Sequence, residues 1–66
     1  MSRRTVEFES TWRAAIAQLY PEATIVVLGR RQNRDNLSAQ VNGKEVGHYR
    51  RDDNDPPGGW IEGTLL

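Results

Sequence analysis

Asn42-Gly43 constrains this 66-residue chain more than any other feature. It lies between Leu37-Ser38-Ala39-Gln40-Val41 and Lys44-Glu45-Val46-Gly47-His48-Tyr49. Both central residues of a two-residue type I′ turn need positive φ, which Asn-Gly supplies, so the segment predicts a β-hairpin. An unbroken hairpin pairs Val41 with Lys44, Ala39 with Val46 and Leu37 with His48. That register puts Leu37, Ala39, Val41 and Val46 on one face and Ser38, Gln40, Glu45 and Tyr49 on the other. A one-residue slip would divide the apolar set between the faces.

Upstream, Ala23-Thr24-Ile25-Val26-Val27-Leu28 is apolar and β-branched without alternation, the pattern of a strand covered on both faces. Before it, Trp12, Ala15, Ile16 and Leu19 recur at helical spacing. A hydroxyl cap at Ser10 or Thr11 opens this helix, and Pro21 closes it. Thr5-Val6-Glu7-Phe8-Glu9 fits either a brief strand or the first helical turn. Phe8, Trp12 and Tyr20 are core candidates. The polar stretch Gly29–Asn36 reads as a connection, and Asp52–Gly59, with its Pro-Pro and Gly-Gly, as a turn-rich acidic loop. Trp60-Ile61-Glu62 suits a short fourth strand or a packed tail. The expected fold class is α+β: one N-terminal helix packed on a three-stranded antiparallel β-meander, with room for a short extra strand at either end. Residues 1–66 form a single small domain, of which residues 1–5 are expected to fray.

Composition narrows the function. The chain holds no cysteine, which excludes disulfides, cysteine zinc sites and a thiol nucleophile. No apolar run approaches the roughly 18 residues of a membrane span, so a soluble, cytoplasmic protein is expected. Nine basic and nine acidic residues cancel, unlike the strongly basic balance of a duplex-DNA coat. The charges are nonetheless unevenly placed: residues 1–34 are net +3 and residues 35–66 net −3.

In a meander, the end of the first strand, the start of the second and the end of the third share one edge. Arg30, Arg31, Arg34, Arg50 and Arg51 therefore converge at one pole, with Asp35, Asp52, Asp53 and Asp55 near enough to neutralise them. The partner-binding candidates are Arg30, Arg31, Arg34, Tyr49, Arg50, Arg51, Asp52, Asp53 and Asp55. Arginine forks suit carboxylates and phosphates, and an acidic loop suits a basic surface. Tyr49 beside the arginines could stack a base, anchor a protein contact or pack beneath the C-terminal tail.

Catalysis and cofactors find no support in the residues. Asp52-Asp53-Asn54-Asp55 fails as an EF-hand loop, because the fifth ligand position is Pro56 or Pro57 from either start. His48, the single histidine, is expected beside Leu37 as a structural imidazole. Gly58-Gly59 is too short to cradle a phosphate. The order of helix then meander is similar to that of double-stranded RNA-binding domains. Their phosphate-gripping second helix has no counterpart here, since Asp52–Gly59 is acidic and helix-breaking.

The expected function is that of a non-enzymatic interaction or inhibitor protein of prokaryotic or phage type, in the style of anti-CRISPR and other anti-defence proteins. It would bind a larger protein or nucleoprotein complex, as a monomer or homodimer, with no metal and no cofactor. The alternative is a nucleic-acid-binding module that uses the arginine pole and Tyr49.

Overall fold

The computed structural model describes residues 3–31, 34–52 and 57–63, with the side chains of Arg30, Arg31, Arg34 and Asp52 excepted. Helix α1 spans Glu9–Leu19, two or three residues earlier than a Ser10 or Thr11 cap implies. Phe8 is the N-cap and supplies no side-chain bond; its carbonyl accepts the first helical bond, from the Trp12 N–H at 2.9 Å. Glu9, in the first turn, faces the positive end of the helix dipole and pairs with Arg13 Nε at 2.8 Å. Tyr20 leaves the helical region ahead of Pro21, as the proline ring requires. Phe8, expected in the core, is 65% exposed, and Leu19 also faces solvent; Trp12 and Ile16 alone anchor the stripe in full burial.

The chain forms β1 (Arg3–Val6), then α1, then β2 (Thr24–Arg31), β3 (Arg34–Val41), β4 (Lys44–Asp52) and β5 (Gly58–Glu62). All pairings are antiparallel and the sheet order is β1-β5-β4-β3-β2. The fold is thus α+β with one helix and a five-stranded sheet, two strands more than the expected meander. Trp60-Ile61-Glu62 extends the meander as β5, and Arg3–Val6 returns from the other end of the chain to pair with it. The stretch expected to connect strands is strand for most of its length: β2 runs on to Arg31 and β3 starts at Arg34. Likewise Asp52, Gly58 and Gly59 lie in strands and not in a loop.

The hairpin turn is as expected, with Asn42 at φ 54° and Gly43 at φ 81°. Its register is not. Gln40 pairs with Glu45, but Ala39 pairs with Gly47, so Val46 is an extra residue and β4 carries a bulge. Beyond it Leu37 faces Tyr49, and Ser38 faces His48. The bulge exchanges the roles of His48 and Tyr49: Tyr49 enters the core at 1% exposure and His48 moves to the opposite face. Energetics favour this. Burying an aromatic ring contributes about 2–3 kcal/mol, while one lost ladder bond costs about 1 kcal/mol. The bulge also sets Gly47 beneath the helix, where an added Cβ would lie 2.7 Å from Ile16 Cδ1 and 3.3 Å from the Trp60 carbonyl.

The core comprises Val6, Trp12, Ile16, Leu37, Ala39, Val46, Tyr49 and Ile61. Three aromatic donors tie its layers together. Trp12 Nε1 donates to the Trp60 carbonyl at 3.1 Å, Tyr20 Oη to that of Glu62 at 2.6 Å, and Tyr49 Oη to that of Glu7 at 2.7 Å. The helix lies over β5, β4 and β1. At a diameter of about 10 Å it spans only two or three strands spaced about 4.8 Å apart. β2, the edge strand beyond β3, lies outside the helix's main contacts, and only Ile25 among its residues packs against the core. Val26 and Val27 are exposed, which overturns the expectation of a strand covered on both faces. No helix among the described residues is long and apolar enough to cross a membrane.

Candidate functional site

The helix covers one face of the sheet, and no described segment covers the other. Antiparallel register lays two rows across that open face: Val26, Ser38, His48, Trp60 and Thr5, and beside it Leu28, Asn36, Arg50 and Gly58. Around His48 these side chains form a connected polar network. His48 Nδ1 lies 3.1 Å from Glu45 Oε2, and Nε2 lies 3.2 Å from Asn36 Oδ1. Ser38, only 1% exposed, donates its hydroxyl proton to Glu45 Oε2 at 2.7 Å and accepts from Gln40 Nε2 at 3.1 Å.

A carboxylate can only accept, so the Nδ1 contact is a hydrogen bond in the form of the ring that carries a proton on Nδ1. Partial burial is the largest influence on Glu45 and pushes its carboxyl up. The hydrogen bonds from Ser38 and His48, with the charge on His48, outweigh it and hold the group below its ordinary value. The network commits the Ser38 proton and both ring nitrogens of His48 to neighbours. Its chemistry is that of holding side chains in place.

Next to this network runs an aromatic strip. The His48 and Trp60 rings stack with centroids 6.4 Å apart and planes 20° from parallel. The Arg3 guanidinium lies 4.4 Å above the indole, a cation–π contact, and is held there by Glu62 at 4.0 Å. Trp60 is thus braced from β4 on one side and β1 on the other. Arg50, exposed, adds a guanidinium beside Asn36.

The structure distributes the expected contact residues differently from one cluster. The backbone does bring the arginine positions to one end of β2, β3 and β4, remote from the Asn42-Gly43 turn. Arg31, Arg34 and Asp52 share a row, with Asp35 and Arg51 in the next and Arg30 beside Arg31. Arg51 sits on the helix side, with Nε 3.4 Å from Glu9 Oε1 and Nη2 3.9 Å from Asp35 Oδ2. The Nε contact is a charge attraction without hydrogen-bond alignment. Arg51 is therefore engaged by the chain's own carboxylates. Tyr49, expected on the exposed face, is buried against Trp12 with its hydroxyl committed to Glu7. Burial is the main cause that pushes its phenol up, with the Glu9 charge adding to it. Asp53 and Asp55 lie outside the described residues.

Arg3, Asn36, Ser38, Glu45, His48 and Trp60 were not among the expected site residues, because an unbulged register turns His48 inward. One signal was available. Gly47 is an isolated glycine inside a strand pattern, which is the sequence mark of a bulge.

The chain matches no protein-family model, and no significant match to it was found among curated proteins or solved structures.

Proposed function

We propose that this chain is a small non-enzymatic interaction protein that lays its open sheet face on a larger protein or nucleoprotein complex. Arg3, His48, Arg50 and Trp60 supply the contacts. The observation that carries this is the bracing of Trp60 between His48 and Arg3 on a face that no described segment covers. Tryptophan and arginine dominate interface hot spots, and side chains already held in place lose little freedom on binding. The action is steric: a 7.5 kDa body occupies a surface its partner needs. An inhibitor of the anti-defence type, the size-class expectation from the sequence, is the specific form of this proposal.

The test is affinity capture with the wild-type chain and with Arg50→Glu and Trp60→Ala as baits, each first shown to fold by circular dichroism. A partner retained by wild type and lost from both variants supports the assignment. Equal retention by all three removes it.

Nucleic-acid binding is the second reading, favoured by the row that pairs Arg31 with Arg34, two rows from Arg50 at the same end of the sheet. It loses Tyr49 as a stacking platform. It requires affinity that falls steeply with salt, and a gel shift without binding at about 50 mM salt eliminates it.

A further inference from the structure

The two edges of the sheet differ in kind. β1 is four residues long and carries Arg3 and Arg4, and charge on a short edge strand is a common guard against pairing with another chain. β2 is eight residues long, and its arginines, Arg30 and Arg31, come after the register irregularity that follows Leu28; before it, Thr24-Ile25-Val26-Val27-Leu28 offers five successive uncharged residues, three of them β-branched valine or isoleucine. Val27 shares a face with Leu37 and the core, yet is 61% exposed because α1 stops short of it. Val26, on the other face, is exposed as well. Over residues 24–28, where the pairing with β3 is regular, an uncharged edge with apolar side chains on both faces is a template for a further strand.

Charge on the flanks says which strand fits. The uncharged run is preceded by Glu22 and followed by Arg30 and Arg31. A second copy aligned antiparallel brings the acidic flank of each chain to the basic flank of the other. A parallel copy sets arginine against arginine. Centring the antiparallel alignment on Val26 is the one choice that pairs these five residues among themselves and sets Glu22 opposite Arg30. Val26 then faces Val26 of the second copy, Ile25 faces its Val27, and Thr24 its Leu28. Each exposed Val27 gains an apolar cross-strand neighbour on the side the helix leaves bare. A formal net charge of zero leaves no long-range repulsion between copies.

We infer that β2 is a self-association edge, pairing antiparallel with β2 of a second copy about a two-fold axis at Val26 to make a continuous ten-stranded sheet. A single strand pair lies at the small end of interface size, so the dimer is a concentration-dependent equilibrium. The open faces of the two copies lie on the same side, and both remain available to a partner.

Sedimentation equilibrium from about 10 μM to about 1 mM, the range expected of a small interface, tests this on the full chain. The weight-average mass should rise from 7.5 kDa toward twice that value. Amide exchange in β2 should slow over the same range. Val27→Lys and Val26→Lys, both at exposed positions, should hold the chain at monomer mass with an unchanged circular dichroism spectrum. Glu22→Arg and Arg30→Glu should each raise the dissociation constant, by about tenfold if cross-strand pairs of this kind act twice in the dimer. Combining them should restore dimerisation, which a nonspecific hydrophobic contact would not do. A constant monomer mass, dimerisation undiminished in both lysine variants, or a double variant no better than the singles would each overturn the inference.

Discussion

Tyr49→Phe isolates the consequence of the β4 bulge in a single oxygen atom. The Tyr49 hydroxyl donates to the Glu7 carbonyl at 2.7 Å from a ring that is almost wholly buried, so its removal leaves a carbonyl short of its donor. A lost hydrogen bond of this kind costs about 1–1.5 kcal/mol. Tyr49→Ala, which also empties the ring's place against Trp12, should cost about 3–5 kcal/mol. A chain of this length has only about 3–10 kcal/mol in total, so the alanine variant should be largely unfolded. In urea, with a slope of about 1 kcal/mol/M, Tyr49→Phe should lower the midpoint by about 1 M with the slope unchanged.

The pH dependence supplies an independent check. Because burial raises the Tyr49 pKa, wild type and unfolded chain are both protonated there below about pH 10, and this group then contributes no slope. Above that pH the unfolded chain loses the proton first, so stability falls as pH rises toward the folded-state pKa. The phenylalanine variant should lose less stability over that alkaline range. Were Tyr49 on the open face, as an unbulged hairpin implies, both substitutions would change stability by less than about 0.5 kcal/mol. That outcome would refute the register described for β4.

Four further outcomes follow from the same structure. Gly59→Ala places a Cβ against the His48 carbonyl and within 2.8 Å of Tyr49 Cα. The backbone there has nowhere to go, so thermal unfolding should show a loss of about 3 kcal/mol or more. Glu45→Gln should flatten the acid limb of the stability curve. The depressed carboxyl contributes above its ordinary value near 4.5 and loses that contribution as pH falls through its folded-state pKa, which acid titration by circular dichroism would follow. Gly43→Ala, at φ 81°, should cost about 1 kcal/mol in chemical denaturation. Phe8→Ser, at an exposed position, should stay within about 0.5 kcal/mol of wild type in the same assay.

The part of the site legible in the sequence was the part set by strand order. Arginines at the ends of successive antiparallel strands must gather at one end of the sheet, and the backbone places them so. Which of them face outward was not legible. Arg51 turns toward Glu9 on the helix and Arg50 toward the open face, a difference of one residue that any register error reverses. The His48–Trp60–Arg3 strip joins three strands whose residues lie up to 57 positions apart, and no local pattern announces such a meeting.

The sequence by itself determined what is decided within a few residues: the Asn42-Gly43 turn, the Trp12–Ile16 helical anchor and its stop before Pro21. In each case short-range sterics and spacing leave one favourable choice. Tertiary structure alone decided the rest. The helix needed close approach at Gly47, and the core gained more from the Tyr49 ring than a ladder bond costs. β4 therefore bulged, and every side chain beyond Val46 changed face. The same narrow helix left most of β2 bare, because one cylinder cannot cover five strands.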